Sequence, residues 1–281
     1  MFKRGGNVLF ILVLFFLSFS ICVKGKHIVL VHGAGHGAWC WYNVVTMLKS
    51  SGHNVTTLDM AASGINPEQV QEIRSISQYY EPLMTFMKSL PPKEKVILVG
   101  HSLGGISTSV AMEKFPEKIS VAIFVTAFVI SETLNTTVVN QELVKRAGSF
   151  LDAQTFFSDG PNKPPTSLLF GPKLLASKLY QLSPSQDLTL ALSLVRPQSF
   201  FNDDEALSKE TAVTKQRNGM VPKVYIISKR DKFIREDSQM WIIERSGPYA
   251  EVKVIKDSDH MVMFSQPKKL SSHILKIAYR Y

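Results

Sequence analysis

The sequence predicts an α/β fold, a mostly parallel sheet flanked by helices on both faces, with a helical cap inserted after the strand at about 119–126. Three observations carry this expectation. Short apolar runs at 28–31, 54–58, 95–99, 119–126, 222–228 and 251–255 alternate with helical stretches at 39–50, 67–90, 103–115, 235–245 and 266–279. Runs such as Val96-Ile97-Leu98-Val99 are apolar at every position rather than every second one, the pattern of a strand buried on both faces. The chain of 281 residues is 45% hydrophobic and 20% charged. It carries no internal repeat or low-complexity tract, so it suits one full core.

The N-terminal segment stands apart from that pattern. Lys3 and Arg4 precede an apolar stretch from Val8 to Val23, and Lys24-Gly25 follow. This is the layout of a secretory signal cleaved near Gly25, which sets residues 1–25 apart from a domain at 26–281. The stretch is shorter than the roughly 20 residues that span a bilayer, yet Lys24 and Lys26 also suit an uncleaved anchor. The expected location is therefore the secretory pathway or the exterior if the leader is removed, and a membrane anchor otherwise. Cleavage also removes Cys22 and leaves Cys40 without an intramolecular partner. In that pathway Asn54-Val55-Thr56 and Asn135-Thr136-Thr137 are candidate glycosylation sequons.

The first strand, Ile28 to Val31, delivers His32-Gly33-Ala34-Gly35-His36-Gly37-Ala38-Trp39. Glycines at alternate positions let this backbone curl around an anion. Their spacing is Gly-x-Gly-x-Gly, not the Gly-x-Gly-x-x-Gly of a dinucleotide-binding turn. A helix to about residue 50 ends at Gly52, the second strand covers 54–58, and Pro67 fits the first turn of a helix over 67–90. The run 95–99 then meets Gly100-His101-Ser102-Leu103-Gly104, and Ser107, Ser109, Val110 and Ala111 continue as helix. This places a serine on a tight strand-to-helix turn. The glycines leave room for the turn, and the Ser102 hydroxyl stands exposed at the strand's C-terminal end as a nucleophile elbow.

After the strand at 119–126 the alternation stops. From about 128 to 221 the sequence is helical and Pro-punctuated, with a turn cluster at Gly160-Pro161-Asn162-Lys163-Pro164-Pro165. An insertion here grows from the C-terminal edge of the sheet, where open α/β sheets bind ligands, and reads as a cap that excludes water. Phe128, Leu179, Tyr180, Leu182, Leu192, Leu194, Phe200 and Phe201 are candidates for its lining. The strand at 222–228 then runs into Lys229-Arg230-Asp231. The strand at 251–255 alternates polar and apolar and leads to Lys256-Asp257-Ser258-Asp259-His260 before the last helix.

These positions give serine, then aspartate, then histidine, the chain order that a serine on such an elbow uses. A serine hydroxyl is a weak nucleophile at neutral pH and needs a base within hydrogen-bond reach, which His260 would supply. Asp231 would hold the imidazole in the right tautomer and stabilise the imidazolium. Asp257 and Asp259 are the alternatives, but both share the loop of His260 and lack the reach to orient its ring from behind. Attack on an ester carbonyl makes an oxyanion, for which the Leu103 amide at a helix start and the Ala34 amide in the glycine-rich loop are the expected donors. His32, His36 and His101 read as pocket walls or backbone-orienting groups, and His27, His53 and His273 as surface or element-end residues. No His-Glu-x-x-His pair or cysteine cluster indicates a metal site. Setting aside Lys3, Arg4 and Lys24 lowers the formal charge from +9 to about +6. The basic residues are scattered and not interleaved with aromatics, which argues against nucleic acid as a partner. A homodimer is left open.

The chain from residue 26 onward closely resembles the plant methylesterases, which belong with the hydroxynitrile lyases to the α/β-hydrolase superfamily. The resemblance rests on His32 to Trp39, Leu58-Asp59-Met60-Ala61-Ala62-Ser63-Gly64, Gly100 to Gly105, Lys178-Leu179-Tyr180-Gln181-Leu182, Ser193-Leu194-Val195-Arg196-Pro197 and Ser258-Asp259-His260-Met261. It implies an α/β-hydrolase fold, a Ser102–Asp231–His260 triad and oxyanion amides at Ala34 and Leu103. It also implies hydrolysis of methyl salicylate, methyl jasmonate, methyl indole-3-acetate or similar small esters, with an acyl-enzyme, release of methanol and no cofactor. Gly33, His101, Phe128 and Met261 are the candidate substrate contacts. The lyases resemble this chain but carry threonine at Gly33 and lysine at Met261, so both departures favour ester hydrolysis. Cyanohydrin cleavage and a non-catalytic hormone-binding receptor are the alternatives.

Overall fold

The computed structural model describes residues 25–281. The leader expected at 1–25 lies, but for its last residue, outside them. Among the described residues no helix is long and apolar enough to cross a membrane.

The strands in chain order are β1 (His27–Val31), β2 (Asn54–Leu58), β3 (Val96–His101) and β4 (Ile119–Val125), then β5 (Gln154–Phe156), β6 (Ser167–Leu169) and β7 (Gln198–Ser199), then β8 (Lys223–Ser228) and β9 (Glu251–Ile255). β1, β2, β3, β4, β8 and β9 form one sheet in the order β2-β1-β3-β4-β8-β9, and every neighbouring pair in it is parallel. Parallel strands need covered faces, and side chains alternate between those faces. Val29, Val31, Leu98, Phe124 and Tyr225 enter one apolar cluster, while Ile28, Leu30, Ile97, Val99 and Ile226 enter the other.

The helices that cover the faces are α1 (Tyr42–Ser50), α2 (Ile76–Ser89), α3 (Gly104–Lys114), α8 (Glu236–Ser246) and α10 (Pro267–Arg280). Between them in the chain come α4 (Thr136–Ala147), α5 (Pro172–Leu174), α6 (Ser185–Leu194), α7 (Asp204–Glu210) and the short α9 (Val262–Ser265). α1 and α10 contribute Val44, Leu48, Leu270 and Ile274 to one cluster; α2, α3 and α8 contribute Tyr80, Leu83, Val110 and Ile242 to the other.

The helix expected over 67–90 is shorter than the sequence suggested. α2 starts at Ile76, where Ser75 accepts the Gln78 amide and the Gln78 side chain accepts the Ser75 amide, a reciprocal cap that defines a start. Pro67 therefore lies in a loop and not in a first helical turn.

The segment between β4 and β8 is also less helical than expected. It combines α4, α6 and α7 with a small antiparallel sheet ordered β5-β6-β7. β9 keeps the alternation of its sequence, with its two valines, Val252 and Val254, facing solvent. Glu251 meanwhile pairs with Lys253 and with Arg280 of α10.

Candidate active site

From β1 the chain crosses to β2 on one side and afterwards to β3 on the other, so the crevice at the C-terminal ends of β1 and β3 is a topological switch point. Val31 lies in register with Gly100. The glycine-rich loop after β1 and the turn after β3 are therefore neighbours. Ser102 occupies the left-handed region with φ 51°, the strained backbone of an elbow. A side chain is excluded on either side: a Cβ at Gly100 would lie 2.4 Å from Thr108 Oγ1, and one at Gly104 2.4 Å from the His32 carbonyl.

Three side chains from distant parts of the sequence meet here. Ser102 Oγ is 3.1 Å from His260 Nε2, and His260 Nδ1 is 2.7 Å from Asp231 Oδ2. A carboxylate only accepts, so Nδ1 carries the proton and Nε2 is free to accept the serine hydroxyl. The whole relay is buried. Asp231 follows β8 and is held from four directions. Its Oδ1 accepts the Phe233 and Ile234 amides at 2.7 and 2.9 Å, and its Oδ2 accepts Thr126 Oγ1 at 2.6 Å besides the imidazole.

The two other carboxylates do not reach the ring. Asp257 is on the surface, paired with Lys269. Asp259 Oδ2 faces the cap and accepts the Leu182 amide and the Ser183 hydroxyl, and burial raises its pKa above the usual carboxylate range.

The loop of His260 is fixed from below. Ser228 Oγ bonds to the Ser258 and Asp259 carbonyls, and His101 Nε2 donates to the His260 carbonyl at 2.8 Å. Burial, and then the neighbouring His260, push the His101 imidazole well below its ordinary pKa.

A cavity of about 430 Å³ opens at Ser102 and is lined there by Ala34, Leu103 and Phe128. Among the described residues neither the Ala34 nor the Leu103 amide finds an acceptor within the protein. The cavity walls are mostly apolar, with Phe150, Leu168, Phe170, Phe201 and Phe233 among them, and α4 adds Asn140 and Gln141.

Of the expected substrate contacts, Phe128 is in the lining and three are not. Gly33 is pressed against the serine, with its Cβ position 2.7 Å from Ser102 Cβ. His101 turns its ring toward the backbone of His260. Met261 is fully buried in the apolar cluster under α1 and α10, because the chain turns inward directly after His260.

The cap candidates divide similarly. Phe200 and Phe201 line the cavity, Leu179 and Tyr180 belong to the core, Leu192 and Leu194 face outward, and Leu182 lines a separate basic cleft behind Asp231. Thr126, Phe150, Phe170 and Phe233 are site residues that the sequence did not single out. Thr126 had a signal, since it directly follows β4, whose neighbour β8 delivers Asp231.

Comparison with known proteins agrees with this architecture. The alpha/beta hydrolase family matches residues 28–272. Methyl jasmonate esterase 1 of Vitis vinifera is 54% identical over 259 residues, covering 92% of this chain and 98% of that protein. Salicylic acid-binding protein 2 of Nicotiana tabacum is 47% identical, over 92% and 99%. The crystal structure of tomato methylketone synthase I complexed with 2-tridecanone superposes with a TM-score of 0.88 at 46% identity, covering 92% of this chain and 99% of that one. The chain belongs to the alpha/beta hydrolase family, within its plant methylesterase group, and is a carboxylic-ester hydrolase.

Proposed function

We propose that this enzyme hydrolyses methyl esters of small plant acids, of the size and polarity of methyl jasmonate, methyl salicylate and methyl indole-3-acetate, through an acyl-enzyme on Ser102. His260 takes the hydroxyl proton as Ser102 Oγ attacks the ester carbonyl, and Asp231 stabilises the imidazolium. The Ala34 and Leu103 amides hold the oxyanion. Such donors are worth about 3–4 kcal/mol each when preorganised. Collapse of the tetrahedral intermediate returns the proton to the leaving oxygen and releases methanol. Water activated by the same imidazole then frees the acid.

The observation that carries this reading is the Ser102–His260–Asp231 relay opening into an apolar cavity beside two amides without an acceptor. The names of the relatives support the methyl ester. No lysine or arginine lines the cavity among the described residues, which suits an uncharged substrate and lets the carboxylate product leave. The same absence, with buried Met261 after His260 and no space for a side chain at Gly33, leaves nothing to stabilise a departing cyanide.

The test is methanol release from a panel of methyl esters by the wild-type enzyme and by Ser102→Ala. Turnover by the wild type, lost by orders of magnitude in the variant while it still binds the product acid, is expected. Ligand binding without turnover by the wild type would instead indicate a receptor.

A further inference from the structure

The glycine-rich loop presents the Ala34 amide, but glycines at 33, 35 and 37 make that backbone intrinsically loose. Something must hold the amide at the angle an oxyanion needs. The peptide that carries it joins Gly33 to Ala34, and in a trans peptide the carbonyl and the N–H point in opposite directions. Fixing the Gly33 oxygen therefore aims the Ala34 N–H. His32 Nδ1 lies 2.8 Å from that oxygen. Its other nitrogen, Nε2, accepts the Met60 amide at 3.0 Å. The next peptide, Ala34 to Gly35, is held the same way: His36 Nδ1 lies 2.8 Å from the Ala34 carbonyl, and His36 Nε2 lies 2.7 Å from the Tyr180 hydroxyl. A carbonyl can only accept, so both rings carry their proton on Nδ1, and Tyr180 donates to the bare Nε2 of His36.

Tyr180 lies in the chain segment between β4 and β8 that forms the cap, with its side chain buried in the core. It directly follows a single π-helical turn, Leu175–Leu179, and such turns displace one residue from the regular helical path. Its ring stacks on His36, which also stacks on Trp39. Two more cap groups reach the same loop: the Arg196 amide donates to the Gly35 carbonyl at 2.9 Å, and Gln198 Oε1 accepts the Gly35 amide at 3.4 Å.

We propose that His32 and His36 are positioning residues for the oxyanion donor, each a neutral Nδ1–H imidazole bracing one of the two peptides that flank Ala34, and that Tyr180 ties the second brace to the cap. Burial supports neutrality, since it lowers the pKa of His32 and takes that of His36 down to about 3. The inference rests on the esterase reading for its kinetic consequence, but not for the state of the rings.

Nitrogen NMR of the wild-type protein tests the rings directly, before any activity is measured. His32 and His36 are expected as Nδ1–H tautomers, unchanged between pH 5 and 8; an Nε2–H tautomer or a protonated ring at either position would overturn the proposal. The kinetic arm uses His36→Phe, which keeps an aromatic ring in the stack and removes both hydrogen bonds. It is expected to lower kcat about 10- to 100-fold with KM changed less than about twofold. Affinity for a trifluoromethyl ketone that forms a tetrahedral adduct should fall in parallel, with the product acid bound as before. His36→Asn, whose amide nitrogen replaces Nδ1, should recover most of the loss. A change in KM alone, or an unchanged kcat, contradicts the positioning role. Should His36→Phe not fold, the tautomers still decide; should the wild type hydrolyse no ester, the esterase reading fails while the NMR result stands.

Discussion

Asp231 receives hydrogen bonds from two amides, a threonine hydroxyl and the imidazole, so its carboxylate has one orientation available and the imidazole inherits it. Asp231→Asn should keep the fold and lower kcat by roughly 10⁴, because an amide in this position favours the wrong imidazole tautomer. Thr126→Val keeps the shape and removes the bond to Oδ2; a charge-assisted bond of this kind is worth about 1.5–3 kcal/mol. Urea unfolding should show a loss of that order, and kcat should fall far less than in Asp231→Asn. Equal kinetic losses in the two variants would mean that the carboxylate acts through its placement alone. Ser102 and Asp231 were legible in the sequence because each follows an apolar run that reads as a buried strand, and His260 because it follows the alternating run at 251–255 in the expected chain order. Thr126 was less visible, since its part depends on the strand beside it and not on its own.

The central strands were legible at the level of elements for a related reason: a strand covered on both faces is apolar throughout, and such runs have few other uses. The cap was not. β5, β6 and β7 are two or three residues long, too short for periodicity, and the residues of β5 are exposed. Which apolar cap residues meet the cavity depends on how that small sheet packs, so Phe170 points in while Leu192 and Leu194 point out. The alternation of β9 did not tell which of its faces is buried: Val252 and Val254 face solvent, while Glu251 and Lys253 pair with each other.

Arg196 shows how the cap is fastened to the sheet. Its guanidinium donates to the carbonyls of Gly64, Asn66 and Glu68, while its amide donates to Gly35 in the glycine-rich loop. Arg196→Ala should destabilise the protein by about 1–3 kcal/mol and open the 60–70 loop to proteolysis before the sheet unfolds. Cleavage there at the wild-type rate would show that the clamp adds nothing.

Over the whole molecule, one consequence of building the site from buried imidazoles is sensitivity to acid. His32, His36 and His101 all have their pKa lowered by burial. Between the ordinary value near 6.5 and the folded value, about 3 for His36, the unfolded chain takes up protons that the folded chain refuses. Stability therefore falls as pH drops below about 6.5, by up to about 1.4 kcal/mol per pH unit for each histidine. Asp259, raised by burial, works in the opposite sense but is a single group against three. The urea midpoint should decrease from pH 7.5 to pH 5; a constant or rising midpoint would show that these rings accept protons in the folded state.

The proposed hydrolysis passes through a covalent intermediate at one hydroxyl. Rapid quenching of the enzyme with a slowly turned-over methyl ester, followed by mass spectrometry of the peptide containing Ser102, measures it. The acyl mass on Ser102 and about one equivalent of methanol in the burst are expected, and neither in Ser102→Ala. Methanol released at the wild-type rate by that variant, or an acyl group on another residue, would contradict this mechanism.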